Sequence, residues 1–244
     1  MGRAHEVRAA SMAKTAAAKS KTYNKHAKEI YISAKNGGAD PDANLDLRAK
    51  IAKAKKDQVP ADVIKRAIDK AKGGTGENYD AVSYEGFSQG NSYVMVECLT
   101  DNTNRTYSNV RTIFNKSGSK LGVNGCVAHQ FKHQSLFSFE GYTDEEVLDL
   151  LVMADCDVED VVLEDGEVTV YAPANEYSKI RNTLTDANPE LQFGLDEIAW
   201  VPLETVELEG EELAKFEKFL EALEEDDDVQ NVYHNVKLPI VEEE

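Results

Sequence analysis

Apolar residues along the chain follow two rhythms, with the change between residues 73 and 81. In the first stretch they recur every three or four positions, the spacing that places side chains on one face of an α-helix. Tyr23, Ala27, Ile30 and Ala34 form one such stripe, predicting a helix over about 22–36 with Thr22 as its cap and Gly37-Gly38 as its stop. Leu47, Ile51 and Ala54 predict a second helix over about 44–58. Pro60 suits the first turn of a third, with Val63, Ile64, Ala67 and Ala71 inward and Gly73 at its end. Three amphipathic helices in succession read as a small bundle.

Further on, the runs shorten and alternate in type. Residues 81–87 and 92–100 are rich in β-branched and aromatic residues and flank Ser88-Gln89-Gly90-Asn91, a hairpin signal. A helix over about 104–116, with Val110, Ile113 and Phe114 as its apolar side, stops at Ser117-Gly118. Strands are expected near 126–132 and 135–139. Next come a helix over 143–154 opened by a Thr143/Glu146 capping box, strands near 158–163 and 167–172, a helix over 175–187 and a strand over 192–206. A helix over 210–225 and a strand over 229–236 follow. The order predicts an α+β fold: an N-terminal helical bundle, then two α+β domains with mainly antiparallel sheets, one inserted in the other. The expected division is 1–76 for the helical domain, 77–140 with 208–244 for one α+β domain, and 141–207 for the inserted one.

Charge changes the picture of partners. The 244 residues carry 27 Lys+Arg and 45 Asp+Glu, a formal charge of −18, which as an average argues against a polyanion. The average hides a segregation. Residues 1–76 hold 17 Lys+Arg against 8 Asp+Glu, a balance of +9; residues 77–244 hold 10 against 37, a balance of −27. The sign changes at Gly73-Gly74-Thr75-Gly76, a breaker cluster that marks a domain boundary. Basic residues fill the positions that the apolar stripes leave. These are Lys21, Lys25, Lys28 and Lys35 on the first helix, Arg48, Lys50, Lys53, Lys55 and Lys56 on the second, and Lys65, Arg66, Lys70 and Lys72 on the third. A solvated helix face accounts for any one of them. An excess sustained over three helices, beside so acidic a remainder, points to nucleic acid or another polyanion.

Candidate chemistry is sparse. The chain has no Walker A run, no GxGxxG after a strand, no HExxH and no GxSxG. Cys126, His129 and His133 have metal-like spacing, but the segment from Cys126 to Phe131 reads as a strand and no fourth ligand is near, so ordinary strand residues are the better reading. Cys98, Cys126 and Cys156 are odd in number and far apart, which favours buried thiols in a reducing compartment over a disulfide framework. The acidic run Glu224 to Asp228 reads as a solvated helix end. No enzyme, cofactor or metal is expected. No apolar run approaches the roughly 18 residues of a membrane span, and the start lacks the apolar segment of a secretory signal, so the expected location is cytoplasmic. One segment stands out: Leu99-Thr100-Asp101-Asn102-Thr103-Asn104-Arg105-Thr106, where a strand gives way to a helix. Asp, Asn and Thr all cap helices, so a well-capped turn is one reading; Asn102, Asn104 and Arg105 as a phosphate contact is the other.

Taken together, these residues resemble the YebC/PmpR family of probable transcriptional regulatory proteins. The resemblance rests on Glu29-Ile30-Tyr31, Asp40-Pro41-Asp42-Ala43-Asn44, Ala52-Lys53-Ala54-Lys55, Val59-Pro60 and Ile64-Lys65-Arg66-Ala67-Ile68. It continues through Tyr84-Glu85-Gly86-Phe87, the Leu99–Thr106 segment, Val110-Arg111 with Phe114, and Asp227-Asp228-Val229-Gln230-Asn231-Val232-Tyr233-His234-Asn235. Val232-Tyr233-His234-Asn235 and the Met1-Gly2-Arg3 start look most like the YeeN branch. Where the family usually has a Lys-Trp-x-Asn-Ile stretch, this chain has Ala4-His5-Glu6-Val7-Arg8. The resemblance implies a helical domain followed by two α+β domains, and a polyanion-facing role for Lys25, Lys28, Lys53, Lys55 and Arg66. It implies a non-enzymatic, DNA-binding regulator of transcription, or alternatively a ribosome- or RNA-associated translational activator or elongation-rescue factor. In the latter, basic ribosomal proteins could meet the acidic domains. A protein-interaction adaptor built on the acidic domains is the third expectation.

Overall fold

A computed structural model describes residues 16–73 and 79–239. The Gly74-Thr75-Gly76 part of the expected boundary and the Ala4–Arg8 departure lie outside the described residues. The fold is α+β, and the described residues form two compact units: 16–73 and 79–124 with 209–232, and 125–208 with 233–239.

The first unit begins with three helices: α1 (Ala16–Gly37), α2 (Leu45–Lys56) and α3 (Ala61–Lys72). Helix α1 is already under way at Ala16, so Thr22 is an interior residue and not the expected cap; Ala and Lys are strong helix formers and carry the helix back. The predicted stripes meet as one core around Ile30, Ala34, Leu47, Ala54, Ile64 and Ala67, joined by Tyr31, whose ring meets Tyr79 edge-on at 5.8 Å. Asn44 fastens the corner between α1 and α2. Its side-chain oxygen accepts from the Leu47 N–H at 3.0 Å, and its amide donates to the carbonyls of Ser33 and Gly38 at 2.9 and 2.8 Å. A Cβ at Gly37 would stand 2.6 Å from that amide, so this position needs glycine.

The same unit holds a four-stranded sheet. Strands β1 (Asp80–Phe87) and β2 (Tyr93–Thr100) form the expected hairpin, in register from Asp80↔Thr100 to Phe87↔Tyr93. Helix α4 (Thr103–Lys116) follows, and the two-residue β3 (Lys120–Leu121) pairs with the end of β1. From the far end of the sequence, α7 (Gly210–Glu224) and β9 (Val229–His234) return to it, giving the strand order β3-β1-β2-β9. Phe114 of α4 and Phe219 of α7 meet edge-on at 4.8 Å, and Val110, Phe216 and Leu223 are buried with them.

In the second unit, β4 (Phe131–Glu140), β5 (Asp160–Glu164), β6 (Glu167–Pro173) and β7 (Phe193–Pro202) form an antiparallel sheet in the order β5-β6-β4-β7. Helices α5 (Asp144–Met153) and α6 (Tyr177–Ala187) bury Val147, Leu151, Ile180 and Leu184 against Phe137, Phe139, Val168 and Val170. The Thr143/Glu146 capping box is present. Short β8 (Val206–Glu207) and β10 (Val236–Lys237) pair in parallel.

Three expectations are corrected. The strand near 126–132 is a turn and a 3-10 segment (Ala128–Gln130) that precedes a single strand, β4. Gly125 adopts a left-handed φ of 86° and Val127 alone of the segment is buried, so the chain turns here and is not laid out in a ladder. Strand 131–140, assigned by pattern to the 77–140 piece, hydrogen-bonds to β6 and β7 and so belongs to the second sheet, because Phe137 and Phe139 complete that core. The single strands expected over 192–206 and 229–236 are each two, β7 and β8 and then β9 and β10, with the members of each pair in different sheets.

Candidate nucleic-acid interface

The basic residues of the bundle divide into two groups. On α1, Lys21 and Lys28 are partly buried and their ammonium groups are held by the acidic turn between α7 and β9. Lys21 donates to the Glu225 carbonyl at 3.2 Å. Lys28, only 16% exposed, donates to the Asp227 carbonyl at 2.6 Å, to the Leu99 carbonyl at 3.3 Å and to the Asp228 carboxylate at 3.1 Å. Lys25 is half-buried, and Lys35 is exposed with its ammonium 5.6 Å from the Tyr31 ring.

On α2 and α3 the arrangement is different. Arg48, Lys53, Lys55, Lys56, Lys65, Arg66 and Lys72 are all exposed. Arg48 pairs with Asp42 at 3.1 Å and Arg66 with Asp62 at 2.6 Å. Such exposed pairs contribute about 0–1 kcal/mol and exchange readily for a phosphate. Among the described residues, Lys55 and Lys65 make no side-chain hydrogen bond or ion pair. Nearby, the half-exposed Asp57 accepts from buried His26 at 2.7 Å, and that bond holds its carboxyl below the usual range despite partial burial.

The Thr100–Thr106 turn is built around a residue that sequence reasoning missed. Asn102 caps α4 by accepting from the Arg105 N–H at 3.0 Å. Arg105 reaches Asp228 at 2.7 Å and Asp101 at 2.8 Å. The Asp228 carboxylate also takes the hydroxyls of Thr106 at 2.9 Å and Thr100 at 3.1 Å. Asp228 is therefore no part of a solvated helix end: it is 5% exposed and gathers four side-chain donors from α1, β2 and α4. Burial alone would raise its pKa, but the bonds from Arg105, Thr106 and Lys28 outweigh that, and the carboxyl sits below its ordinary value. Hydrogen bonds to Asp228 and then Asp101 in turn raise the Arg105 pKa. The available signal was the position of Asp228 next to Val229, where an acidic run gives way to a buried strand. Asn104 is exposed, its carbonyl accepting from Ser108.

The structure thus brings Lys28 and Arg105 together at one internal carboxylate, and leaves the predicted residues of α2 and α3 on the surface. The cysteines Cys98, Cys126 and Cys156 are not in disulfides; burial pushes the Cys98 thiol up to about 12. Among the described residues no cluster of His, Cys, Asp or Glu could hold a metal, and His133 stacks on Trp200 at 4.6 Å. No described helix is long and apolar enough to cross a membrane.

Comparison with known proteins matches residues 3–74 to a model of the TACO1/YebC protein N-terminal domain and residues 79–236 to one of the TACO1/YebC second and third domain. The chain belongs to the TACO1/YebC family. A probable transcriptional regulatory protein of Alteromonas mediterranea is 55% identical, over 98% of this chain and 100% of its own length. One from Vibrio parahaemolyticus is 56% identical over the same shares. The crystal structure of a conserved hypothetical protein from Aquifex aeolicus, 35% identical, superposes with a TM-score of 0.76 over 93% of each chain. Family membership makes this a member of a group whose relatives carry a regulator's name, and it agrees with the resemblance read from the Thr100–Thr106 and Asp227–Asn235 segments.

Proposed function

We propose that the protein is a non-enzymatic, nucleic-acid-binding regulator of gene expression, cytoplasmic, which grips phosphate through α2 and α3. The observation that carries this reading is the exposure of Lys53, Lys55, Lys56, Lys65, Arg66 and Lys72 on those two helices, in a chain that is otherwise strongly acidic. The relatives' name favours a role in transcription, for which DNA is the polyanion we propose. No helix-turn-helix or zinc-finger pattern accompanies the basic surface, so the grip is on the backbone and not on base edges. The charge of −27 over residues 77–244 favours a second reading, in which the nucleic acid is ribosomal RNA and basic ribosomal proteins receive the acidic surfaces.

The test uses the full chain and its Lys55→Glu/Lys65→Glu variant, titrated against a random-sequence DNA duplex over a salt series. Wild-type affinity falls steeply with salt as counterions are released, and the variant's log–log slope is smaller by about 1.8. Absence of salt-sensitive binding refutes the proposal. Co-sedimentation with ribosomes, compared with recovery on DNA from one lysate, separates the two readings.

A further inference from the structure

Helix α4 is an anomaly in its surroundings. Residues 77–244 carry 37 acidic residues, yet the fourteen residues of α4 include none. Arg105 and Arg111 are the two arginines between residues 73 and 180, and Arg105 is committed to Asp228. Arg111 is exposed and, among the described residues, has no side-chain hydrogen bond or ion pair; the same holds for Lys120.

These two cations face one cleft of about 290 Å³, together with Tyr107, Asn115 and Ser119, and no carboxylate lines it. Tyr107, Arg111 and Asn115 are four residues apart, which puts them in one row along α4. Lys120 is placed beside the end of that row by a tight reversal: the Gly118 N–H donates to the Asn115 carbonyl at 3.2 Å and the Ser119 N–H to the Phe114 carbonyl at 2.9 Å. Beneath the reversal, Ser119 bonds to Ser88 at 2.8 Å and the Gln89 amide donates to the Ser117 carbonyl at 2.7 Å, so the site is held before any ligand arrives. Tyr107 is 43% exposed, with its ring 6.1 Å from that of Tyr84. An exposed ring next to two cations without partners, on an acid-free helix, combines a stacking platform with a phosphate grip.

We propose that this cleft is a second nucleic-acid contact, taking a single-stranded segment with phosphates on Arg111 and Lys120 and a base on Tyr107. The inference rests on the nucleic-acid reading above, but it concerns a different surface from that of α2 and α3.

The full chain is titrated with a fluorescent twelve-nucleotide oligouridylate and, in parallel, the matching oligothymidylate; the tighter of the two identifies the strand. In Arg111→Ala/Lys120→Ala, affinity falls and the log–log salt slope drops by about 1.4, the share of two single-strand phosphates. In Tyr107→Leu, affinity falls about 5- to 150-fold with the slope unchanged, as expected for loss of a stacking partner. The altered side chains are exposed, and an unchanged circular-dichroism melt confirms that the fold is retained. Ultraviolet cross-linking of the wild type places the oligonucleotide on the peptide containing Tyr107. Wild-type binding that only Lys55→Glu/Lys65→Glu reduces, with both cleft variants unaffected, overturns the cleft alone. No binding by the wild type overturns the nucleic-acid reading and the cleft with it.

Discussion

Replacing Asp228 by Asn keeps the size of the side chain, removes its charge and turns one of its two accepting oxygens into an NH2 donor. Lys28 is then left 16% exposed with its carboxylate partner gone, and Thr100 and Thr106, both fully buried, compete for one remaining carbonyl oxygen. Removing one member of a buried ion pair costs about 3–5 kcal/mol. The Arg105 side of the junction is half-exposed and screened by water, so the lower end, about 3 kcal/mol, is the expected loss. Urea unfolding measures it, with a built-in control. The protein's one tryptophan, Trp200, lies on β7 in the second unit, whereas α1–α4 and α7 lie in the first. Asp228→Asn should shift the circular-dichroism transition to lower urea and leave the tryptophan-fluorescence transition in place. The pH dependence has a definite sign. The folded-state pKa of Asp228 lies below its unfolded value of 3.8, so its stabilisation is fully present above pH 3.8 and is lost as the pH falls through the folded value. The gap between wild type and variant therefore closes in acid. In a Lys28→Met background, Asp228→Asn should cost less, since the stranded ammonium is gone. A loss below about 1 kcal/mol at pH 7, or a gap that does not change with pH, refutes the role given to this junction.

Two further outcomes follow from the packing. A Cβ at Gly86 would stand 2.5 Å from both the Lys120 carbonyl and the Phe114 ring, so Gly86→Ala should destabilise the first unit by about 1–3 kcal/mol; an unchanged urea midpoint would contradict the tight seating of β3 on β1. His234 is buried, and burial pushes its pKa down to about 4. The unfolded chain takes up that proton first, so wild-type stability should decline as the pH falls from about 6.5 towards 4, by on the order of 3 kcal/mol, with no contribution above 6.5. His234→Gln should flatten that decline, and equal slopes for the two proteins would count against it.

How much of this was legible in the sequence depends on the range of the interaction. The stripes of α1 to α3 name their own core, because a 3.6-residue period is local. Thr143 and Glu146 announce their capping box for the same reason. The segment from Cys126 to Gln130 misleads: Val127 and Ala128 suit a strand, yet the chain turns here and buries Val127 without joining a ladder. Lys28 and Lys55 look alike along their helices. Their difference is decided by a turn two hundred residues away, at Asp227 and Asp228, where local composition says solvent and the fold says interior. Arg105 carried both meanings in the sequence, a cap neighbour and a phosphate ligand; only the 2.7 Å distance to Asp228 shows that its guanidinium, though half-exposed, already has carboxylate partners. Of the cleft residues only Arg111 falls in a stretch that carries the family resemblance, and Lys120 comes beside α4 only through the pairing of β3 with β1.

The order in which the ribosome releases this chain makes β2 the exposed party. Its flank that finally meets β9, with the Leu99 N–H on the Asp228 carbonyl at 2.7 Å, has no neighbour until more than a hundred further residues have been made. Through that interval Tyr93-Val94-Met95-Val96-Glu97-Cys98-Leu99-Thr100 offers an apolar, unpaired edge to any other nascent strand. The late segment therefore does two things at birth: β9 closes the sheet, and the acidic turn just before it brings the carboxylate that holds the basic helix.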